Sequence, residues 1–511
     1  MHLIRRFSPS SFFLRSLALL ALGALVTTGW AAKKQPNIIL VMSDDMGWGD
    51  VAYNGNKRVK TPVLDRLSKE GVRLDRFYAM PVCTPTRASC MTGRNPNRTG
   101  NVWAGDFPLP LKELTIAELL RDAGYRTGHF GKWHLGKMTP DCKEGLGEQT
   151  RGPETYVAPW HQGFQTCFST ESAAPNYNPA VWGEMDAEDA TTKKNEAYSY
   201  QYIMNRPIVY GEGTLVGKKM KPWPFSFWLG ENQKAPDVIA GDSSELIMNH
   251  AVPFIEECAK EKKPFFAVVW FVTAHTPVAA GPEARSLYPD LPIEAQHWFG
   301  AISAMDAQIG RLLETLRKQG IEDDTIVWFC SDNGPSWVHD LNSAGPLRGK
   351  KSEVYDGGIR VPAIVRWPAG LKGGRTINAP LSTLDFLPTL LAASGTKPAK
   401  LLPLDGENVL PVLRAEAKTR KAPLFYDFPY RDITKVTWVP TKMRQYAVID
   451  GPWKLVSVDD KKSFQLYDLN HDIGEKSDLA AAHPDQVKRL RAGLDRWTVQ
   501  YKASLSGADY K

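Results

Sequence analysis

The segment with the clearest chemical potential is residues 83–94, which read CTPTRASCMTGR. Pro85 suits the first turn of a helix, and Gly93 suits the position just after a helix ends. The pattern therefore predicts Cys83 at a helix N-terminus, where unpaired backbone N–H groups favour negative charge. A cysteine in that position, with Arg87 close by in sequence, is a candidate nucleophile.

A disulfide between Cys83 and Cys90 is the structural alternative for the same residues. Seven helical residues rise about 10 Å, whereas the Cα atoms of a disulfide lie within about 7 Å of each other, so a helix over this segment argues against the pair. The chain has few cysteines for disulfides to frame 511 residues, at positions 83, 90, 142, 167, 258 and 330. Cys142 and Cys167 could pair in an exported protein, and the sequence leaves that open.

Four short apolar runs that read as buried strands each lead into polar side chains. The runs and their polar ends are 37–41 with Ser43-Asp44-Asp45, 127–130 with Lys132-Trp133-His134, 265–272 with Thr273-Ala274-His275, and 325–329 with Ser331-Asp332-Asn333. Singly, each end has a simple structural explanation, such as a helix cap, a turn or a loop histidine. Ligands of open α/β sheets bind beyond the carboxyl ends of the strands, so four such ends together predict a site.

The oxygen-bearing side chains at these ends point to a divalent metal. Carboxylate and amide oxygens suit calcium or magnesium better than zinc, and the candidates are Asp44, Asp45, Asp332 and Asn333. Three adjacent carboxylates would repel one another unless a cation neutralised them. The sequence therefore predicts a divalent metal site that holds calcium or magnesium.

The elements that must position these residues alternate along the chain. A fifth apolar run at 363–365 adds a strand, and residues 114–123 and 301–318 have helical periodicity. Strands alternating with helices predict an α/β fold with a large, mixed but mostly parallel sheet, flanked by helices on both faces. Residues 138–241 read as long excursions from that sheet.

From about Pro423 the pattern changes to short β segments. Residues 446–449, 453–458 and 464–467 read as strands separated by turns, and residues 484–501 read as a final helix. These features predict a small α+β subdomain with an antiparallel sheet. We therefore expect a signal peptide at 1–31, a catalytic domain at 32–415 and this C-terminal subdomain at 416–511.

The N-terminus has the layout of a cleaved export signal. Arg5, Arg6 and Arg15 precede an apolar run at 17–26, and small residues follow near Ala31. The run is short for a bilayer span, although an uncleaved anchor is the alternative, and no later segment predicts a transmembrane helix. Removal of 1–31 takes three arginines and no acidic residue, which lowers the formal charge from +7 to +4. Without a basic block we expect no nucleic-acid partner, and we expect a bacterial protein that is periplasmic or secreted.

Residues 83–94 resemble the signature of the type I sulfatases of the alkaline phosphatase superfamily, Cys-x-Pro-Ser-Arg followed a short helical stretch later by Thr-Gly-Arg. Thr86 stands where the family usually has Ser, which preserves the hydroxyl, and Cys90 stands where an aliphatic or small residue is common. The resemblance extends over nearly the whole mature chain, through Asp44-Asp45, Gly131-Lys132-Trp133-His134, His275, Asp332-Asn333-Gly334, Lys350-Lys351, Gly357-Gly358-Ile359-Arg360, Leu466-Tyr467-Asp468-Leu469 and Glu475-Lys476. It implies an alkaline phosphatase-like fold.

The resemblance implies that Cys83 is oxidised to formylglycine (3-oxoalanine) by a formylglycine-generating enzyme or an anaerobic maturase. This aldehyde hydrates to a diol. One hydroxyl, close to the metal and Arg87, attacks sulfur, and the second expels sulfate and regenerates the aldehyde. The metal would also touch residue 83 and a sulfate oxygen, which neutralises charge as it develops.

The remaining catalytic roles also come from the resemblance. Lys132 and Lys351 supply positive charge to the nucleophile and the sulfate. His275 protonates the leaving alcohol, and His134 removes the diol proton in the second step. Lys350, the neighbour of Lys351, reads as part of a solvated basic turn.

Two rival functions remain open from the sequence. Relatives with the same oxidised cysteine cleave phosphorus esters, so a phosphodiesterase or phosphonate monoester hydrolase is the alternative enzyme. A catalytically inactive carbohydrate-binding protein, in which Cys83 stays a thiol, is the alternative from another class. Every site position that the resemblance implies holds the expected type of residue, and the C-terminal segment resembles that of sulfatases. Both observations favour a sulfatase of sulfated carbohydrates.

The substrate is the least defined part of the prediction. A sulfated small molecule or oligosaccharide follows from the resemblance, and neither the sugar nor the sulfate position does. Aromatic and hydrogen-bonding residues in the loops, Trp103 and His161 among them, could grip a sugar ring. The alternative for each is ordinary packing in the core or in a loop.

Overall fold

The computed structural model describes residues 35–104, 108–140, 155–177, 181–183, 220–222, 226–236, 241–276, 278–336, 341–429 and 443–511. The predicted signal peptide at 1–31 and Cys142 lie outside these ranges, so the question whether Cys142 pairs with Cys167 stays open. Pro36–Lys511 form one compact unit, and the predicted boundary between 415 and 416 stays a prediction. Within the described ranges, no helix is long and apolar enough to cross a bilayer.

A ten-stranded mixed sheet forms the centre of the fold. From one edge to the other its strands are β14 (Arg375–Ile377), β2 (Val72–Leu74), β13 (Ala363–Arg366), β11 (Thr325–Ser331), β1 (Asn37–Ser43), β10 (Phe265–Trp270), β4 (Arg126–Lys132), β5 (Thr166–Thr170), β8 (Phe227–Gly230) and β9 (Gln233–Lys234). The five strands from β11 to β5 run parallel, and β13 and β8 pair with them antiparallel. The four strands with predicted polar ends are therefore direct neighbours.

The central strands are buried on both faces. Every residue of β1, β10 and β11 is buried, and apolar runs of this kind are typical of strands covered by helices on both sides. Leu40 of β1 belongs to a hydrophobic cluster on one face, and Val41 belongs to a second cluster on the other face. The predicted fold class is confirmed.

Helices cover the two faces of this sheet, and the last helix covers one face of a smaller C-terminal sheet. They are α1 (Pro62–Glu70), α2 (Cys83–Thr92), α3 (Pro96–Thr99), α4 (Ile116–Asp122), α5 (Ser243–Glu261), α6 (Pro282–Arg285), α7 (Ile293–Lys318), α8 (Asp356–Ile359), α9 (Phe386–Ser394), α10 (Leu410–Leu413) and α11 (Pro484–Leu505). Thr115 and Glu118 form a capping box at the start of α4, where the sequence predicted a helix start. Helix α7 begins eight residues earlier than predicted, because Trp298 and Phe299 are also buried in the core.

The C-terminal residues form a four-stranded antiparallel sheet, as predicted. Its strands, in spatial order, are β16 (Leu424–Pro429), β17 (Arg444–Asp450), β18 (Trp453–Ser457) and β19 (Gln465–Asp468). Val448 and Leu455 on one face pack with α11, and Ala447 and Ile449 on the other face pack with a cluster that includes Val354. The smaller strands are β3 (Phe77–Tyr78), β12 (Arg360–Val361) and β15 (Leu381–Ser382) in one sheet, and β6 (Val181–Gly183) with β7 (Met220–Pro222) in another.

Candidate active site at the carboxyl edge of the sheet

The polar residues that follow β1, β10 and β11 are held together by backbone hydrogen bonds. The amide of Asp44 donates to the carbonyl oxygen of Thr273 over 2.7 Å, and the amide of Asp332 donates to the carbonyl oxygen of Ser43 over 3.1 Å. The parallel register therefore continues one step beyond the strands. This continuation places three of the predicted polar ends side by side.

Four oxygen-bearing side chains form one buried cluster at this edge. Asp45 has a φ of 60°, and its backbone N–H donates to Asp332 Oδ1 over 3.0 Å. The Nδ2 of Asn333 donates to Asp45 Oδ1 over 2.7 Å. Asp44, Asp45, Asp332 and Asn333 are each at most 1% exposed. A left-handed residue is uncommon outside glycine, and here it turns the Asp45 backbone toward Asp332.

Three cationic side chains surround the carboxylates. Lys132 Nζ lies 2.7 Å from Asp44 Oδ2, and Lys351 Nζ lies 2.6 Å from Asp45 Oδ1. Arg87 Nη2 lies 3.2 Å from Asp44 Oδ2 and 2.9 Å from Asp332 Oδ2. Each carboxylate therefore has a cation within hydrogen-bond reach, and the centre carries as many positive as negative charges.

Helix α2 places Cys83 beside the residues that follow β4. Cys83 is the first helical residue, and Gly93 ends the helix with a φ of 65°. The Sγ of Cys83 lies 3.1 Å from Nδ1 of His134. Cys83 and Cys90 are both free thiols, as the helix requires. Thr86 Oγ1 donates to the carbonyl oxygen of Asp332 over 2.5 Å. The hydroxyl that Thr86 shares with the usual serine therefore links α2 to the residue that follows β11.

The two histidines differ in their surroundings. Nδ1 of His275 lies 2.5 Å from the carbonyl oxygen of Thr276, so this nitrogen carries the proton and donates it. Nε2 of His275 then faces Asp45 Oδ2 at 3.7 Å. Burial, followed by the positive charge of Lys132, lowers the pKa of His275 to about 4. Burial, Lys132 and Arg87 lower the pKa of His134 well below its usual 6.5. Both rings are therefore neutral at pH 7 in the substrate-free centre.

The centre has the features that a hard cation needs. Two buried oxygens, Asp44 Oδ1 and Asn333 Oδ1, have no hydrogen-bond partner among the described residues, and such oxygens in a protein interior indicate a missing partner. Burial, with the nearby charge of Asp44, raises the pKa of Asp332 to about 7. Asp44, Asp45 and His275 each offer a ligand atom within 4.8 Å of the others. The donor set fits a calcium or magnesium ion.

Comparison with protein families identifies the class of this centre. The family model "Sulfatase" matches residues 36–396, and the model "N-sulphoglucosamine sulphohydrolase, C-terminal" matches residues 350–500. The chain belongs to the sulfatase family. The resemblance to sulfatases seen in the sequence is therefore confirmed. This sulfatase is a sulfuric ester hydrolase, an enzyme that cleaves sulfate esters.

Individual relatives agree with this assignment. N-acetylgalactosamine-6-sulfatase of Mus musculus is 30% identical over 432 residues, which cover 80% of this chain and 72% of the relative. Arylsulfatase H of Homo sapiens is 30% identical over 430 residues, which cover 75% and 73%. Among solved structures, Ps i-CgsB in complex with k-i-k-neocarrahexaose is 25% identical with a TM-score of 0.69, covering 91% of this chain and 92% of that chain. The phosphonate monoester hydrolase of Agrobacterium radiobacter shares the fold at 22% identity and a TM-score of 0.58, covering 91% and 96%.

The structure of this sulfatase brings most of the predicted site residues together. They are Asp44, Asp45, Cys83, Arg87, Lys132, His134, His275, Asp332, Asn333 and Lys351. All come from the ends of four neighbouring strands, from the start of α2 or from the loop before α8. Trp103 and His161, the two predicted sugar-binding residues, are not part of this group of contacts.

Trp103 is a core residue. Its side chain is 2% exposed and packs in the hydrophobic cluster beneath the C-terminal sheet. The ring centroid lies 5.2 Å from that of Phe428. A ring that is so little exposed offers little surface to a sugar, so these contacts favour the packing alternative, and the sugar-binding role of Trp103 stays a prediction.

His161 lies near the amino ends of the strands. It belongs to the 3-10 helix Pro159–Gln162, which leads directly into β5. Gln162 O accepts from Thr115 Oγ1, and Gly163 O accepts from Thr127 Oγ1 at the start of β4. The carboxyl ends of β4 and β5 point to the opposite edge, so His161 lies apart from the carboxylate cluster, and its sugar-binding role stays a prediction.

One further strand end belongs to the centre and escaped the sequence analysis. Strand β5 pairs in parallel with β4 and leads into Glu171 and Ser172. The Oγ of Ser172 lies 3.5 Å from Nε2 of His134, and the carbonyl oxygen of Glu171 accepts from the backbone N–H of His134 over 2.7 Å. The signal in the sequence that could have revealed this strand end was the polar run 169–172, which follows a short apolar segment.

Proposed function

We propose that this sulfatase hydrolyses sulfate monoesters of carbohydrates outside the bacterial cytoplasm, with a formylglycine made from Cys83 as nucleophile and a bound calcium ion. The observation that carries the proposal is the 3.1 Å contact between Cys83 Sγ and His134 Nδ1 inside a centre of three buried carboxylates and three cations. A plain thiol has no evident use there, because burial raises the pKa of Cys83 and keeps it protonated.

Two groups that the family uses would complete the centre. A calcium ion held by Asp44, Asp45, Asp332 and Asn333 would act as a Lewis acid toward a sulfate oxygen. The hydrated aldehyde at position 83 would supply the attacking hydroxyl. The two partnerless oxygens of Asp44 and Asn333 support the ion, and the position of Cys83 at the N-terminus of α2 supports the modified side chain.

The chain's own cations bind the anionic substrate. Lys132 lies at Asp44 and Lys351 lies at Asp45, so a sulfate group bound at the cluster meets two lysine charges. Arg87 is fully buried, and its guanidinium carbon lies 5.0 Å from the centre of the Trp270 ring, which holds it in place. Charge fixed in a water-poor site stabilises developing negative charge better than the same charge in water.

His134 is suited to accept a proton from a hydroxyl at position 83. Burial, with the positive charge of Lys132, lowers its pKa far enough that the ring is neutral, and Nδ1 already faces the side chain at position 83. His275 is suited to protonate the leaving oxygen, since Nε2 faces the cluster. Its lowered pKa means that the negative charge of a bound sulfate ester must first raise its proton affinity.

The relatives support a carbohydrate substrate. One is named as an N-acetylgalactosamine-6-sulfatase, one was solved with k-i-k-neocarrahexaose, and the C-terminal family model is that of an N-sulphoglucosamine sulphohydrolase. A steryl-sulfatase of Mus musculus is also 29% identical over 469 residues, so a lipid sulfate is the competing substrate class. Location outside the cytoplasm rests on the signal-like residues 1–31.

The experiment compares ester classes with one preparation. The chain from residue 32, coexpressed with a formylglycine-generating enzyme and supplied with calcium, is assayed on 4-nitrophenyl sulfate, bis(4-nitrophenyl) phosphate and a phenylphosphonate monoester, with Cys83→Ala as the matched control. We expect the sulfate to be preferred and the variant to be inactive. Preference for either phosphorus ester would support the phosphodiesterase alternative, and no turnover by the modified protein would support the inactive one.

A second panel separates the substrate classes. Defined sulfated mono- and oligosaccharides are compared with a steroid sulfate under the same conditions. We expect sulfate release from at least one sugar with a kcat/KM above that for the steroid sulfate. Release from the steroid sulfate alone would reject the carbohydrate assignment and leave the sulfatase chemistry intact.

A further inference from the structure

Three polar side chains interrupt an otherwise apolar face of the C-terminal sheet. Gln445 on β17, Lys454 on β18 and Gln465 on β19 point to the same side as Ala447 and Ile449, which pack against the catalytic core. Gln445 is 2% exposed and Lys454 is fully buried. A buried polar group on an apolar face is informative, because burying it without hydrogen bonds destabilises the fold.

Both polar atoms of the Gln445 side-chain amide form hydrogen bonds with the backbone of one loop. Its Nε2 donates to the carbonyl oxygen of Ser352 over 2.9 Å, and its Oε1 accepts from the N–H of Val354 over 3.3 Å. Ninety-three residues separate Gln445 from Ser352 in the chain. The two hydrogen bonds therefore hold the loop from a different part of the fold, in the way a neighbouring strand would.

The loop that Gln445 holds carries Lys351. Ser352 has a φ of 73°, a left-handed conformation that costs about 1 kcal/mol or more for a residue with a Cβ. The backbone N–H of Ser352 donates to Pro81 O over 2.8 Å, and that of Lys351 donates to Pro335 O over 3.0 Å. The strained turn directs the Lys351 ammonium to Asp45, and it persists because neighbouring groups fix it.

The other two polar side chains of this face contact the same loop at residues that are further along the chain from Lys351. Gln465 Oε1 accepts from the hydroxyl of Tyr355 over 2.7 Å. Lys454 Nζ lies 2.7 Å from Asp356 Oδ1. Among the three, Gln445 alone contacts the residue next to Lys351. Gln465 therefore provides a matched comparison from the same face of the same sheet.

We propose that Gln445 is a positioning residue for the sulfate-binding Lys351. It fixes the left-handed Ser352 through one hydrogen bond and the following Val354 through another, and these two bonds set the direction of the Lys351 side chain. The C-terminal sheet thereby contributes to catalysis without touching the substrate. The inference rests on the proposed function only in that Lys351 contacts the sulfate group.

The test is a double-mutant cycle on the calcium-loaded, formylglycine-bearing protein. Gln445→Met keeps the side-chain shape and removes both hydrogen bonds. We expect it to lower kcat/KM for 4-nitrophenyl sulfate about tenfold, and to raise the inhibition constant of inorganic sulfate by a similar factor. In a Lys351→Ala background, which loses more activity by itself, we expect Gln445→Met to change either constant by less than about twofold, because pairwise coupling appears when one residue acts through the other.

Controls separate positioning from general stability. Gln465→Met removes a hydrogen bond to the same loop, and we expect kcat/KM to stay within about threefold of the parent. If Gln445→Met does not fold, as judged by its thermal transition, Gln445→Glu replaces it, since a carboxylate keeps an acceptor for Val354 and loses the donor to Ser352. Equal losses in the parent and Lys351→Ala backgrounds, or an unchanged sulfate inhibition constant, would overturn the inference. An inactive parent would instead overturn the proposed function, and a Lys351→Ala variant with normal constants would overturn the proposed role of Lys351.

Discussion

Two of the buried charge clusters among the described residues have similar composition but differ in how their oxygens are contacted. In the scaffold cluster, formed by Asp356, Lys454 and Glu475, Lys454 Nζ lies 2.7 Å from Asp356 Oδ1 and 2.8 Å from Glu475 Oε1. The backbone N–H of Asp356 donates to the other oxygen of Glu475 over 2.7 Å. In the active centre, Asp44 Oδ1 and Asn333 Oδ1 have no hydrogen-bond partner among the described residues, and Lys132 and Arg87 contact the other oxygen of Asp44. Glu475 Oε1 of the scaffold cluster also lacks a hydrogen bond of good geometry, but Lys454 Nζ lies beside it.

This difference shows what distinguishes a site from a scaffold. Both clusters are buried, and both pair carboxylates with cations, so charge density alone does not separate them. The sequence argument from repulsion among Asp44, Asp45 and Asp332 is therefore incomplete, because Arg87, Lys132 and Lys351 already balance them. The open oxygens of Asp44 and Asn333 are the feature that indicates a ligand, because Glu475 Oε1 in the scaffold cluster already has Lys454 beside it.

Asp44→Asn should have the largest effect, and it should act on activity. The change removes one charge from the open cluster and weakens divalent cation binding, so we expect kcat/KM for 4-nitrophenyl sulfate to fall by about 10³-fold. We also expect the melting temperature of the parent to rise with added calcium, and this rise to disappear in the variant. Retention of the full calcium-dependent shift in Asp44→Asn would remove Asp44 from the metal site.

Lys454→Met should act on stability. Removing one partner of a buried ion pair leaves uncompensated charge, so we expect the free energy of unfolding to fall by about 3–5 kcal/mol in urea titrations. Calcium should change the parent and the variant by equal amounts. The matched control is Lys461→Met, whose partner Asp495 lies 2.9 Å away at the surface and which should cost at most about 1 kcal/mol. Equal losses for the two variants would mean that the scaffold cluster is not a structural element.

His275→Ala should distinguish substrates by their leaving groups. A nitrophenolate leaves without a proton, whereas the alcohol of a sugar sulfate needs one, so we expect about a 10²-fold loss on an alkyl or sugar sulfate and a much smaller loss on 4-nitrophenyl sulfate. Steady-state kinetics on both substrates provide the measurement. Equal losses on the two would argue that His275 holds the metal or the fold and does not act as the acid.

His161→Ala should have the smallest effect. The residue lies near the amino ends of β4 and β5, away from the cluster, so we expect kcat/KM for the best sulfated sugar to change by less than about twofold. A tenfold rise in KM would show that this edge of the molecule contributes to substrate binding, and would support the role that the sequence suggested.

The parts of the centre that could be predicted from the sequence are those with local signals. Buried parallel strands read as apolar runs, and their next residues, such as Asp44 and Asp332, are identifiable without coordinates. Helix α2 has a proline near its start and a glycine at its end. In contrast, β5 is only five residues long and contains three hydroxyl side chains, so its period was too weak to detect.

Contacts between distant segments could not be predicted in this way. The hydrogen bonds from Gln445 to the Lys351 loop join residues that are more than ninety positions apart, and no periodicity encodes such a pairing. The enclosure of Trp103 depends equally on where β16 places Phe428. Aromatic type and loop location alone therefore gave two sugar-binding candidates that lie apart from the contacts at the strand ends, whereas residue types repeated at several strand ends gave the centre.

The central claim is that the side chain at position 83 is an aldehyde in the active protein. The most direct measurement is the mass of the tryptic peptide 77–87, taken from preparations with increasing maturase coexpression and assayed in parallel on 4-nitrophenyl sulfate. We expect a species about 18 Da lighter than the thiol peptide, and a kcat proportional to its fraction. Full activity in a preparation whose peptide retains only the thiol would contradict the claim.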